Sequence, residues 1–210
     1  LSYDNPSPTM YVVNSDAENI GVGGYAIYDA AVAEIRSCER AMEENLVFTR
    51  DWVLGQAETL CQASSWIVVG QRAAHAPAGE SALKIVETIR RVTAVYELEE
   101  IVHGPHASFL VSPHMLALSL PQAPPERLQA LCNSLKAQGG QAFSVTLHAS
   151  SASSEGEHLF LRQSLPMLSP LQLLLPAQAM SAWIAPRLGI DLDQSDENPF
   201  TRILAGHLDA

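Results

Sequence analysis

One stretch of the chain carries a row of charged residues with the types and spacing needed for acid–base chemistry. Glu80, Lys84, Glu87 and Arg91 follow one another at intervals of four, three and four residues. A helix would place all of them on one face. A carboxylate held in a crevice beside a cation can act as a general base. The same spacing is also typical of a solvated, salt-bridged helix surface, so the pattern alone leaves both interpretations open.

A second group follows a short β-branched and aromatic run, where His103 is preceded by Glu100 and followed by Gly104 and Pro105. Ligands of an open parallel sheet bind outside the carboxyl ends of its strands. Pro105 favours the first position of a following short helix. The N-terminus of that helix would favour a neutral, proton-exchanging imidazole at His103, and Glu100 would orient the ring. A single histidine is also often a spectator.

Neither a metal nor a cofactor is expected. His103 and His106 form a possible metal pair, but no third ligand has suitable spacing and Pro105 intervenes. His75 is a weaker site candidate. The chain contains no G-x-S-x-G, P-loop or G-x-G-x-x-G motif. The 3 cysteines are scattered, which favours a reduced, cytoplasmic compartment over a disulfide framework.

The charge and hydropathy of the chain exclude several classes of partner. A net charge of -11, with Lys84 and Lys136 as the two lysines, argues against binding nucleic acid. No apolar run approaches the roughly 18 residues that span a bilayer, so we expect no membrane segment. The opening residues lack the features of a signal peptide. The hydrophobic fraction of 47% is enough to build a core.

Apolar strands alternate with helical stretches from Trp66 onward, which predicts an α/β three-layer sandwich with a roughly five-stranded parallel sheet. Strands are predicted at Trp66–Val69, Val92–Tyr96, Met115–Leu120, Ala142–Leu147 and His158–Leu161, and helices at 80–91, 124–140 and 169–189.

The first 60 residues have a different composition. We predict a single strand at Met10–Val13 and one or two helices from Tyr25 to Leu60, the second capped by Asp51. Residues 1–60 are therefore expected to be the tail of a preceding domain with connecting helices. Residues 61–210 would form the α/β domain with its C-terminal helix and tail, and Ser150–Ser154 a loop within it.

Three motifs in order resemble the sugar isomerase (SIS) domain family. The family sequence E-G-A-L-K-L-K-E stands in register with 80–87, and G-x-D-x-D-Q is matched by 189–194. The family sequence G-E-L-K-H-G-P is matched by 100–105 at the Glu and His-Gly-Pro positions. Pro170 and Pro176 keep the family's spacing in the last helix. Over Cys61 to Arg202 the chain looks like the second, C-terminal SIS domain of two-domain phosphosugar isomerases, deaminases and deglycases, such as the isomerase half of glucosamine-6-phosphate synthase.

The resemblance implies a flavodoxin-like SIS fold and a sugar phosphate ligand. Glu87 would shuttle a proton between sugar C1 and C2, Lys84 would support it, and His103 would assist ring opening, reaching into a neighbouring subunit's site. Glu80, Glu100 and Arg202 would contact the substrate. Arg202 stands where the family has a tail lysine, and a permanently charged guanidinium cannot act as a base. The family's S-x-S-G-x-T phosphate loop is also absent.

Two classes of function therefore remain. One is a phosphosugar isomerase, deaminase or deglycase. The other is a non-catalytic phosphosugar-binding or dimerisation module with the same fold. The apolar last helix, with Leu171, Leu173–Leu175 and Trp183, favours a homodimer but also fits burial in the core.

Overall fold

One six-stranded sheet forms the centre of the protein in the computed structural model, which describes residues 22–107, 113–123 and 125–193. The strands are β1 (Ser65–Gly70), β2 (Val92–Glu97), β3 (His114–Ser119), β4 (Gln141–His148), β5 (Ser153–Glu155) and β6 (His158–Arg162). Their order is β2-β1-β3-β4-β6-β5. Neighbouring strands are parallel except β5, which pairs antiparallel with β6. The predicted α/β class and its five parallel strands are confirmed, and β5 is an added edge strand.

Helices cover both faces of this sheet. They are α1 (Val22–Gly55), α2 (Ala57–Cys61), α3 (His75–Lys84), α4 (Leu98–Val102), α5 (Pro125–Ala137) and α6 (Leu175–Trp183). Alternation along β1 shows the layers, because Trp66 and Val68 are buried in the cluster that includes α1, α3 and α6. Ile67 and Val69 are buried in the opposite cluster with α4 and α5. A strand buried on both faces reads as a continuous apolar run, as this one does.

The long helix α1 packs against elements from the far end of the chain, α6 and β6. Asn45, which is 0% exposed, accepts a hydrogen bond from Arg162 N at 2.7 Å and donates one to Arg162 O at 2.9 Å. Beside this pair, Arg162 Nη1 lies 2.7 Å from Glu44 Oε2 at the surface. One buried amide and one exposed ion pair thus join α1 to the last parallel strand.

Three details differ from the sequence-based prediction. Asp51 does not cap a second helix, because it lies within α1, which continues to Gly55. Ser153 and Ser154 belong to β5 rather than to a loop. The last helix is divided into a 3-10 segment at Ser169–Leu174, α6, and a second 3-10 segment at Pro186–Leu188, and each of the three has a proline among its first positions. The predicted strand at Met10–Val13 lies outside the described residues.

The strand order reverses between β1 and β3, and the carboxyl ends of these strands mark the place where such sheets bind ligands. The chain turns sharply here from β1 into α3. A Cβ on Gly70 would lie 2.5 Å from His75 Cα and closer still to Ala74 O. Gly70 is therefore required for the close approach of strand and helix.

Candidate functional site

The predicted charged cluster is assembled at the end of α3. Lys84 Nζ lies 2.8 Å from Glu87 Oε2 and 3.7 Å from Glu80 Oε1. The exposed fractions of the Lys84, Glu80 and Glu87 side chains are 34%, 45% and 47%. The hydrogen bond that Lys84 donates to Glu87 raises the pKa of the ammonium group. Two carboxylates therefore remain accessible to a ligand beside a lysine that stays charged at neutral pH.

Glu87 lies on a π-helical turn, Ile85–Ile89, which continues α3 directly. Arg90 N donates to Ile85 O at 3.1 Å, and the turn ends at Arg90 with a left-handed φ of 56°. Such single π turns are rare and frequently occur at functional sites. The predicted row of charges therefore ends at Glu87. Arg91 lies beyond the helix, where its Nε donates to Ala63 O at 3.0 Å.

Two hydroxyl groups attach this turn to α6. Thr88 Oγ1 lies 2.7 Å from Lys84 O and 2.8 Å from Ser181 Oγ, and Ser181 Oγ lies 3.0 Å from Ala177 O. Each hydroxyl group has one proton to donate, so two protons are available for these three contacts. Ser181 also lines a cavity of about 530 Å³ together with Ala182, Pro186 and residues 189–193. Sequence reasoning missed both residues, because nothing in the local pattern joins positions 93 apart.

His103 lies between α4 and a short 3-10 turn. It is exposed and follows α4 as its C-cap, and its main-chain N donates to Glu100 O at 3.1 Å. The Glu100 side chain accepts a hydrogen bond from Glu97 N at the other end of α4. Residues 105–107 form a short 3-10 turn, and residues 108–112 lie outside the described part. No hydrogen bond or ion pair among the described residues joins His103 to Glu87 or Lys84.

The ends of β1 and β2 carry a further feature that the motifs did not reveal. Arg72 has a left-handed φ of 55°, and its N donates to Glu97 Oε1 at 3.0 Å. Burial disfavours ionisation of Glu97, but hydrogen bonds from the N–H groups of Arg72, Glu99 and Leu98 outweigh it and lower the pKa of the carboxyl. One ionised carboxylate thus holds a strained residue after β1 and caps α4.

The remaining predicted substrate contact, Arg202, lies outside the described residues. Over the described ranges, no group of three or more His, Cys, Asp or Glu side chains comes close enough together to hold a metal ion. In the same ranges no helix is both long and apolar enough to cross a bilayer.

The strand order β2-β1-β3-β4-β6, with helices on both faces, is a doubly wound, flavodoxin-like arrangement. No family model matches the chain. The chain is 28% identical over 187 residues to an isomerizing glutamine–fructose-6-phosphate aminotransferase of Thermus thermophilus, a match that covers 83% of the chain and 29% of that protein.

Solved structures share the same fold. The C-terminal domain of glucosamine-fructose-6-phosphate aminotransferase from Francisella tularensis superposes with a TM-score of 0.67 at 20% identity, over 85% of this chain and 50% of that one. A phosphosugar isomerase candidate from Clostridium difficile 630 gives 0.69 at 18% identity, over 89% and 52%. The chain spans less than a third of the curated relative and about half of each solved chain. The resemblance inferred from the three motifs is confirmed.

Proposed function

We propose that this chain is the phosphosugar-binding domain of an aldose–ketose sugar-phosphate isomerase, or of an amino-sugar-phosphate deaminase or deglycase. The observation that carries the proposal is the exposed pair of Lys84 and Glu87, 2.8 Å apart on a π turn after the first strand. The relative from Thermus thermophilus is named as an isomerizing glutamine–fructose-6-phosphate aminotransferase. This name supports a sugar phosphate as the class of substrate. We also propose that residues 1–60 are the tail of a preceding domain with connecting helices, and residues 61–210 the SIS domain.

The proposed chemistry is a proton transfer between adjacent carbons. The Glu87 carboxylate removes the proton from C2 of the open-chain aldose. The electrons of that bond form the C1=C2 double bond while O1 takes up a proton, which gives an ene-diol. O2 then loses its proton and the proton held by Glu87 returns to C1, which gives the ketose. Lys84 donates a hydrogen bond to that carboxylate. His103, supplied by the neighbouring subunit of a cytoplasmic homodimer, exchanges a proton with the ring oxygen during ring opening. Glu80 and Glu100 contact the sugar hydroxyls, and Arg202 contacts the phosphate.

A non-catalytic phosphosugar-binding or dimerisation module is the second candidate. The observation that favours it lies in the sequence. Arg202 stands where the related family has a tail lysine, and a permanently charged guanidinium cannot act as a base. A binding module would use the Glu80–Lys84–Glu87 face without transferring a proton.

Proton–deuterium exchange distinguishes the two candidates. Fructose 6-phosphate and 6-phospho-amino sugars are incubated in D₂O with wild type, with Glu87→Gln and with Glu126→Gln. Glu126 is an exposed glutamate in the first turn of α5 and serves as the matched control. Exchange at C1 and C2 that is lost only in Glu87→Gln supports the enzyme. Sugar binding by calorimetry without any exchange refutes it and supports the module.

A further inference from the structure

The π turn that carries Glu87 differs from an ordinary helix end in its hydrogen bonds. Its ladder runs from residue i to i+5, as in the 3.1 Å bond from Arg90 N to Ile85 O. The Thr88 hydroxyl additionally contacts the carbonyl of Lys84, at 2.7 Å. The direction of the Glu87 side chain depends on this local geometry, because a π turn rotates residues around the helix axis relative to an uninterrupted α-helix.

The turn is also fixed from outside its own helix. Thr88 Oγ1 lies 2.8 Å from Ser181 Oγ on α6, and both side chains are half-buried. The neighbouring residues of α6, Ala179 and Met180, are 2% and 0% exposed, so α6 is firmly packed at this point. A single hydroxyl–hydroxyl contact therefore connects the residue next to Glu87 to the core and to the wall of the 530 Å³ cavity.

We infer that Thr88 and Ser181 are positioning residues, which hold the π turn so that the Glu87 carboxylate faces Lys84. The catalytic meaning of this arrangement rests on the function proposed above. The geometric part of the inference, which is the placement of Glu87 beside Lys84, does not rest on that function, because the Lys84–Glu87 contact exists whether or not a sugar reacts there. Thr88 thereby acts on the sugar only through Glu87.

The titration of Lys84 tests the geometric part directly. The chain has Lys84 and Lys136 as its two lysines, so their side-chain NMR signals can be assigned, and Lys136 provides an internal reference. Thr88→Val removes the hydroxyl but keeps the shape of the side chain. We expect this variant to lower the pKa of Lys84 toward its ordinary value, and Thr88→Ser to restore the wild-type value.

Two further variants complete this test. Thr93→Val is the matched control, since it removes a hydroxyl contact to a carbonyl, Arg91 O at 2.9 Å, on β2 rather than on the π turn. Ser181→Ala removes the contact to α6 and leaves the Thr88–Lys84 contact in place, so it decides the question if Thr88→Val does not fold. If Thr88→Val folds, an unchanged Lys84 pKa in that variant overturns the inference. If only Ser181→Ala folds, an unchanged Lys84 pKa in Ser181→Ala overturns it.

The exchange assay tests the catalytic part. We expect Thr88→Val to slow C1/C2 exchange at saturating sugar by about tenfold or more, because small displacements of a catalytic group are costly, and to leave sugar affinity within about twofold. Thr88→Ser should restore the rate. Normal exchange in Thr88→Val together with a shifted Lys84 pKa would refute the catalytic role of the positioning. If wild type itself shows no exchange, the proposed function fails, and the Lys84 titration still decides the geometric inference.

Discussion

The substitution Asn45→Ala tests how α1 is held against the sheet. Asn45 is fully buried, and it contacts both the N–H and the C=O of Arg162, at 2.7 and 2.9 Å. Alanine would leave the N–H of Arg162 without this acceptor, which costs about 1–3 kcal/mol for a buried donor. The missing amide also leaves a small void, worth about 1 kcal/mol. We expect the free energy of unfolding to fall by about 2–4 kcal/mol.

Glu44→Gln provides the control one residue away. The Glu44–Arg162 ion pair is as short, 2.7 Å, but its side chains are 24% and 47% exposed, and such pairs contribute about 0–1 kcal/mol. Urea denaturation of both variants and wild type, with the m-value held constant, gives the two differences. A loss for Asn45→Ala no greater than that for Glu44→Gln would show that the buried amide does not anchor α1.

Two further predictions concern the carboxyl ends of β1 and β2. Gly70→Ala should lower the free energy of unfolding by at least about 2 kcal/mol, since its Cβ would lie 2.5 Å from His75 Cα, whereas Gly79→Ala on α3 meets nothing within 4 Å and should stabilise by about 0.5–1 kcal/mol. Urea denaturation measures both, and equal effects would contradict the close approach. Because the folded-state pKa of Glu97 is lowered, its stabilising contribution is present above the unfolded pKa of about 4.3 and is lost as pH falls through the folded value. Thermal unfolding from pH 6 to 3 should therefore show a steeper acid loss in wild type than in Glu97→Gln, and parallel curves would refute this.

Much of the fold could be predicted because buried parallel strands leave a plain signal. The run 66–69 is apolar on both faces, as a strand covered by helices on both sides requires. The run 142–147 alternates apolar residues with Ser144 and Thr146, a period that a strand produces and a helix does not. The boundary near Asp51 was missed because a capping residue type does not end a helix whose next turn, Trp52 and Val53, is buried in the core. The prolines of the last helix did carry a usable signal, since Pro176 removes a helical hydrogen-bond donor and favours a segment start.

Some contacts of the candidate site could also be predicted from the sequence, and others could not. Spacing within one helix predicted the contact of Lys84 with Glu80, since neighbours on a helix face are fixed by its pitch. The predicted Lys84–Glu87 contact also forms, but it spans the change from α3 to the π turn. Contacts across the fold, such as Thr88 with Ser181, depend on how α3 and α6 pack and leave no mark in either local sequence. The role of His103 stays a prediction, and the sequence pattern did not show that Leu98–Val102 form a helix with their own capping box, which lies between β2 and His103.

The attachment of α1 to β6 and α6 has a consequence for synthesis. The partners of Asn45 and Cys38 lie 117 and 130 residues later in the chain, so the first described helix leaves the ribosome long before the surfaces that bury it exist. At usual elongation rates of about 5–20 residues per second, Trp52 and Val53 stay uncovered for on the order of ten seconds. A truncation before β4 would remove Phe143, whose ring packs edge-on against Trp52 with the centroids 5.8 Å apart. The newly made chain should therefore be most prone to aggregation and most dependent on chaperones in this interval.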